Sequence, residues 1–505
     1  MPRYTMQCEV VVIGSGVSGL TAAALLAKSG RKVVIVERTS RPGGALKRFV
    51  RQGVPFDVGF HYTGCLGEGE VLTALWDYLG VRPLLPIRPF PPDGHDELSI
   101  AGYDQPVRAF FSYQRLRDEL NRQFPEERTA IGDYLGKIAA ICRQIPFYNL
   151  DLPLTPFLRG FQEPPISLHG YLTEITANPK LQAVLASPAF LYGVPASRAS
   201  LAVHAMVAHG FYRGAYTIDG GGQAVVDAFL QILEQTGVTI LGKNRVEEIL
   251  VAGGVVTGVR THRDQVIHCR DVIYTGHPAA VPAMVPAGIF RPIYLKRVQE
   301  LRNTASMVAV FAAAPAETPQ EPDWVNHYHV PAGLAILPET PQVPMAERAL
   351  MMTIPERGRL PNLKNSRRGI ILLRPALWEE IKRFEPTTPR HRPPAYLAWK
   401  EELAGEMIAA AGRHWGESYA TLHPLAVGTP LTFRDELAAP EGAAYGAQHC
   451  LGQHNPGART RLPGFWLSGQ STLMTGVVGA ALAGLVSAGE ILGLESTWEQ
   501  VRQCR

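Results

Sequence analysis

The stretch Cys8-Glu9-Val10-Val11-Val12-Ile13-Gly14-Ser15-Gly16-Val17-Ser18-Gly19 decides how this chain is read. Its first half is a short β-branched run, as expected of a buried parallel strand. Its second half is a G-x-G-x-x-G turn. A helix rich in Ala and Leu follows over 20–29 and stops at Gly30, and Lys32-Val33-Val34-Ile35-Val36-Glu37 then reads as a second strand. Glu37 falls eighteen residues beyond Gly19, near the ~20 expected for a carboxylate that binds a ribose. Each glycine has a physical task. Gly14 permits the tight turn, Gly16 lets the backbone approach a pyrophosphate, and Gly19 lets helix and strand pack closely. Free N–H groups and the dipole at the helix start favour phosphate charge. Gly14, Ser15, Gly16, Gly19 and Glu37 are therefore candidate dinucleotide contacts. An acid at position 37 disfavours a 2′-phosphate, and so NADP.

Working outward, Glu37-Arg38 leads to Arg41-Pro42-Gly43-Gly44. Near the other end, 464–470 reads as a strand running into a turn, and 475–481 as the start of a small-residue helix. Between them, 238–241 reads as a strand that 245–249 continues, 254–260 as its hairpin partner, and 271–276 as a returning buried strand. Residues 1–85, 215–285 and 440–505 are expected to form one discontinuous nucleotide domain. Residues 86–214 and 286–439 would form a second, α+β part, with helices over 113–122 and 132–143 and an exposed loop over 386–394. The fold class expected is α/β, a Rossmann-type domain of the glutathione-reductase kind with an inserted α+β substrate domain.

Composition narrows the function. The chain has 505 residues, 46% hydrophobic and 19% charged, which excludes wholesale disorder. Lys+Arg 49 against Asp+Glu 45 gives a net charge of +4, too small to argue for nucleic acid. The 6 Cys include no C-x-x-C pair, so neither a zinc nor a thioredoxin-like site is signalled, and a reduced cytoplasmic setting is expected. No metal site is expected. The apolar stretch 465–493 is long enough to span a bilayer, but Ser468, Gln470, Ser471 and Thr472 at one end and Glu490 near the other favour a strand, a turn and a buried helix. Phe147, Tyr148, Leu150, Leu152, Leu154, Phe157, Leu158 and Phe161, with Arg143 and Arg159, form a candidate membrane-dipping entrance, the alternative being ordinary core. Peripheral attachment to the inner face of a membrane is therefore expected as well.

The chain resembles the carotenoid-desaturase superfamily of flavoproteins, most closely its retinol-saturase branch. The Gly43-Gly44 pair soon after the ribose acid is one mark. Phe56-Asp57-Val58-Gly59-Phe60-His61-Tyr62-Thr63-Gly64 resembles the branch's F-D-x-G-x-H-Y-x-G element. Tyr192-Gly193-Val194-Pro195, Ala199-Ser200 and His204-Ala205-Met206 resemble its substrate-side helical block. Ala215-Tyr216, Gly220-Gly221-Gly222, Thr429-Pro430-Leu431-Thr432, Gly442 to Gly446 and His449 complete the likeness, which spans nearly the whole chain. One departure is Ala45, where relatives often carry Arg or Lys after the glycine pair; Lys47 and Arg48 stand further on.

The resemblance implies FAD, held by Gly14, Ser15, Gly16, Gly19, Glu37, Arg38, Gly43 and Gly44, by the backbone of Val246 at the adenine, and by Gly469, Gln470, Gly476 and Val477 near the flavin or ribityl chain. It implies hydride exchange with a C=C or C–C bond of an apolar polyene or isoprenoid lipid. His61, Tyr62, Tyr445 and His449 are the candidate proton-transfer groups, because their blocks flank the flavin-binding pieces. No second G-x-G-x-x-G pattern is evident, so an external electron donor or acceptor must reach the flavin directly or through a partner. The competing expectations are a redox-neutral polyene isomerase, a flavin amine oxidase, and a non-enzymatic prenyl-binding protein of the GDP-dissociation-inhibitor type. The intact Gly14/Gly16/Gly19 set, Glu37 and Gly43-Gly44 argue against the last.

Overall fold

The β-branched runs of the sequence become the strands of one parallel sheet. The computed structural model describes residues 5–91, 93–109, 112–160, 165–314, 325–355 and 368–505. In that sheet the order is Thr239–Leu241, Val33–Val36, Val10–Ile13, Asp271–Tyr274, Phe465–Leu467, all parallel. The strands come from three distant parts of the chain, as a doubly wound nucleotide fold requires. The helix Val17–Lys28 lies against the sheet with residues 17–27 buried, and Gly476–Leu492 packs on that helix. Close approach of the two helices depends on glycine: a Cβ at Gly484 would stand 2.4 Å from the Ser18 carbonyl oxygen.

A second sheet sits beside it, with strands Thr5–Gln7, Val266–His268, Val255–Thr261 and Val246–Ala252. The stretch 238–249, expected as one continuous strand, is instead two strands in different sheets. Thr239–Leu241 pairs with Val33–Val36 in the parallel sheet, whereas Val246–Ala252 crosses to pair antiparallel with Val255–Thr261. Lys243, at φ 51°, turns the chain between them.

The third sheet has seven strands, in the order His423–Gly428, Ser306–Ala313, Gly369–Ala376, Leu350–Thr353, Asn326–Val330, Asp96–Ile100, Val107–Ala109. One face packs on helix Pro394–Trp415. The other packs on helices that include Arg128–Cys142 and Leu201–Arg213. Ser306–Ala313 and Gly369–Ala376 are buried along their whole length because both faces are covered. The helices expected over 113–122 and 132–143 are Tyr113–Gln123 and Arg128–Cys142. Of the apolar stretch read as a membrane entrance, Phe147, Leu150 and Leu154 are buried in the core around Trp498 and Phe157 and Leu158 pack against it, while Phe161 lies outside the described residues. Among the described residues no helix is long and apolar enough to cross a membrane.

Candidate active site

The site begins at the first glycine turn. Gly14 takes φ 101°, and a Cβ there would meet Thr275 Oγ1 at 2.4 Å, so this turn excludes a side chain. A Cβ at Gly19 would lie 2.1 Å from the Gly14 carbonyl oxygen, the close helix–strand contact expected of it. Gly16, the N-cap of the helix, faces open space. The second loop folds back on the first: Gly43 N–H donates to the Ser15 carbonyl at 3.0 Å and to Ser15 Oγ at 3.2 Å. Gly44 stands over Gly16, 3.1 Å from its Cα when given a Cβ.

Glu37 is buried at the end of its strand. Its Oε2 accepts from Ser15 N–H at 3.1 Å and Ser15 Oγ at 2.6 Å, and its Oε1 from Thr39 N–H at 2.7 Å and Thr39 Oγ1 at 2.8 Å. Burial raises the carboxyl pKa, but these hydrogen bonds outweigh it and hold the group below the ordinary Glu value. It is a fixed anion with lone pairs left for a ribose. Arg38 is exposed, and its guanidinium donates to the backbone carbonyls of Asp435 and Glu436, at the end of helix Pro430–Leu437. That places it on the seam with the second part of the chain. Arg48 forms a 2.8 Å ion pair with Asp57, whose Oδ1 also accepts from Gly222 N–H at 3.2 Å. Lys47 is half-buried, and burial lowers its pKa although Glu37 acts against this.

Val246 is buried at the start of its strand, two residues beyond Asn244, whose N–H donates to the Glu37 carbonyl at 2.8 Å. Gly469 takes φ 102° against the Thr275 carbonyl, and the Gln470 carbonyl accepts from His449 Nε2 at 2.7 Å. Gly476, at φ 77°, opens the long C-terminal helix into free space. Its N-cap residue, Thr475, has a buried Oγ1 with no partner among the described residues. An orphaned hydroxyl, a helix N-terminus and an open cradle above Gly16 are what a dinucleotide with a polar isoalloxazine edge would satisfy, so these residues fit FAD.

A cavity of about 160 Å³ opens directly on Thr475, Gly476 and Val477. Its walls include Met206, Met307, Met351, Met474, Phe190 and Leu373, and its polar groups include His61, Tyr62 and Tyr445. Methionine fills irregular space and adapts to long flexible ligands. The cavity thus brings three of the four proton-transfer candidates together beside the turn at 475–477, where the flavin is expected. Tyr445 makes no side-chain hydrogen bond to a described residue, and burial raises its pKa well above the ordinary value, so it carries its proton. The Tyr62 hydroxyl is engaged in the cavity wall: it donates to Asp96 Oδ2 at 3.0 Å and shares a 2.8 Å bond with Tyr328 OH. His449 lies behind the wall. Its Nε2–H donates to Gln470 O, its Nδ1 accepts from Asn455 at 3.4 Å, and burial lowers its pKa, which makes it a neutral brace for the 469–471 turn.

Sequence reading missed Thr475, Asp96, Tyr328 and the methionines. The strand alternation around Met307 and Met351 carried a signal, since each points to the face opposite its neighbours Val308 and Leu350. His204 accepts or donates between Tyr134 and Tyr192 at 2.8 and 3.0 Å inside the helical layer, a structural role. Cys65 is buried, and burial raises its thiol pKa, so it is an unreactive wall residue.

A family model described as flavin containing amine oxidoreductase matches residues 17–351. The chain is 25% identical to an all-trans-retinol 13,14-reductase of Macaca fascicularis over 97% of this chain and 86% of that protein. It is 30% identical to a carotenoid 3,4-desaturase of Haloarcula japonica over 51% of this chain and 55% of that one. An oxidoreductase of Methanosarcina mazei superposes with TM-score 0.65 at 15% identity, covering 95% of this chain and 99% of that one, which shows a shared fold. The glycine turns, the buried Glu37, the second glycine loop and this family match agree, and the chain belongs to the flavin containing amine oxidoreductase family as an FAD-dependent oxidoreductase.

Proposed function

We propose that this protein reduces a C=C bond of a long, conjugated, apolar polyene or isoprenoid lipid, as a retinol-saturase-like reductase. The observation that carries this reading is the methionine-walled cavity that meets the flavin-binding turn at Gly476, with Tyr445 set in its wall. The all-trans-retinol 13,14-reductase of Macaca fascicularis matches along nearly the whole chain, whereas the carotenoid desaturase and a relative named an inactive all-trans-retinol 13,14-reductase each match about half. Bound FAD, once reduced by an external electron donor, would supply the hydride. The chain supplies the rest. Gly16 and Gly44 seat the pyrophosphate, Glu37 the ribose, and Gly469, Gln470, Gly476 and Val477 the flavin side. The apolar walls exclude water and align the polyene. Tyr445, a phenol held protonated by its surroundings, gives its proton to the second carbon, with His61 beside it. Tyr62 keeps the wall in place, and His449 fixes the turn. A substrate of this kind resides in lipid, so peripheral contact with a bilayer belongs to the same proposal.

The test is a visible spectrum of the purified protein, then anaerobic incubation of the dithionite-reduced holoprotein with retinoids, carotenoids and prenyl lipids, read by mass. A gain of two hydrogens supports the reductase. A loss of two under oxidising conditions replaces it with a desaturase. Unchanged mass with altered retention makes it an isomerase.

A further inference from the structure

Two arginines are buried side by side on the seven-stranded sheet, and they are treated differently. Arg348, 3% exposed, is fully served: its guanidinium donates to the Val343 and Pro375 carbonyls and forms a 2.5 Å ion pair with Glu380. Arg374 is 1% exposed, and its Nε and Nη1 have no partner among the described residues. An uncompensated buried guanidinium is among the costliest features a fold can retain.

Its surroundings are cationic or hydrogen-bond donating. Arg374 lies opposite Val308, Leu373 lies opposite Met351, and His329 lies opposite Leu350, so Arg374 and His329 stand level across three neighbouring strands. This is the face under helix Pro394–Trp415, away from the lipid cavity. His329 stacks on His414 with ring centroids 3.5 Å apart, and its buried Nδ1 has no partner among the described residues. Trp415, in contact with His414 and His327, has a buried Nε1 with no partner among the described residues. Burial lowers the pKa of both Arg374 and His329, and the mutual repulsion of Arg374, Arg348, Arg413, His329 and His414 adds to it. The exposed Glu406 alone, among the described residues, acts in the other direction on Arg374. The negative end of the helix explains Arg413 and His414 in its last turn, but it gives Arg374 no acceptor.

We propose that Arg374, flanked by His329, His414 and Trp415, binds a small oxoanion, a phosphate or a carboxylate, between this sheet and helix Pro394–Trp415. The half-buried end of the helix at His414, followed by Gly416, is where the anion enters. The charge-assisted bonds it accepts are of the kind that guanidinium groups make to both anion classes. The site is separate from the flavin and the lipid cavity and does not depend on the reaction proposed above.

The holoprotein, dialysed into chloride buffer, would be melted with increasing sodium phosphate, and in parallel with succinate, against sodium chloride at matched ionic strength. A saturable rise in Tm specific to phosphate or to succinate is expected and names the source. Arg374→Met should be at least as stable as the native protein without the anion, and its apparent Kd should weaken by about ten- to a hundred-fold. No anion-specific rise in the native protein, or the same rise in Arg374→Met, overturns the proposal. Should Arg374→Met fail to fold, Arg374→Lys and Trp415→Phe read the same Kd: an unchanged value in both overturns it, and a weakened one upholds it.

Discussion

Ser18 and Ser468, 450 positions apart in sequence, share a buried hydrogen bond of 2.7 Å between their hydroxyls. Ser487 donates to the same Ser468 oxygen at 3.0 Å. The three serines tie the first nucleotide helix, the turn after the last parallel strand, and the C-terminal helix into one unit. Ser468→Ala takes the partner from the buried Ser18 hydroxyl, while Ser487 keeps the Gly484 carbonyl at 3.1 Å, and should cost about 1–3 kcal/mol. Urea unfolding measures that loss, and faster release of flavin on dilution should accompany it.

Glu37 should govern dinucleotide affinity with a defined pH dependence. Its folded pKa lies below the ordinary Glu value, so its stabilising contribution is complete above about pH 4.3 and is lost as pH falls through the lowered value. Glu37→Gln keeps the shape but removes the charge, and should weaken FAD binding by about tenfold or more. Fluorescence titration of the apoprotein checks both.

Tyr445 and Tyr62 should separate chemistry from architecture. Tyr445→Phe removes a hydroxyl with no partner among the described residues, so turnover should fall about 10²–10⁴-fold while Tm and the flavin spectrum hold. Tyr62→Phe strips a bond from Asp96 and one from Tyr328, and should cost about 1–3 kcal/mol of stability. Equal losses of turnover with no loss of stability in Tyr62→Phe would reverse these roles.

The buried histidines should make the protein sensitive to acid before its carboxylates titrate. Burial lowers His204 to about 3 and His209 and His277 to about 4, so each is neutral in the fold. The unfolded chain protonates them near about 6.5 and then binds more protons than the folded one. Stability should therefore fall as pH drops from about 6.5 towards 4. Urea midpoints across that range test this, and His209→Gln should flatten the slope.

The features legible in the sequence were those written in short range. Val10 to Gly19, Glu37 and Gly43-Gly44 carry their geometry locally, because glycine conformations and strand–turn–helix periodicity need no distant partner. The methionine-walled cavity is different. Met206, Met307 and Met351 come from three separate elements and Met474 from the loop before helix Gly476–Leu492, and no local pattern says that they face one void. The meeting of Tyr62 with Asp96 and Tyr328 likewise depends on the register of Asp96–Ile100 beside Asn326–Val330. The strand over 238–249 was misjoined for a related reason. Both halves are β-rich, and only the turn at Lys243 sends them to different sheets.

The order of strands in the parallel sheet has a consequence for biosynthesis. Phe465–Leu467 forms an edge beside Asp271–Tyr274, and Ser468 and Gly476 follow it at once. A ribosome that has released everything before residue 460 has therefore made a chain that lacks one edge strand and half of its cofactor cradle. The glycine turn after Val10–Ile13 waits, apolar sheet exposed, for a segment made long after it. Nascent chains arrested before that point should be captured by chaperones and hold no flavin.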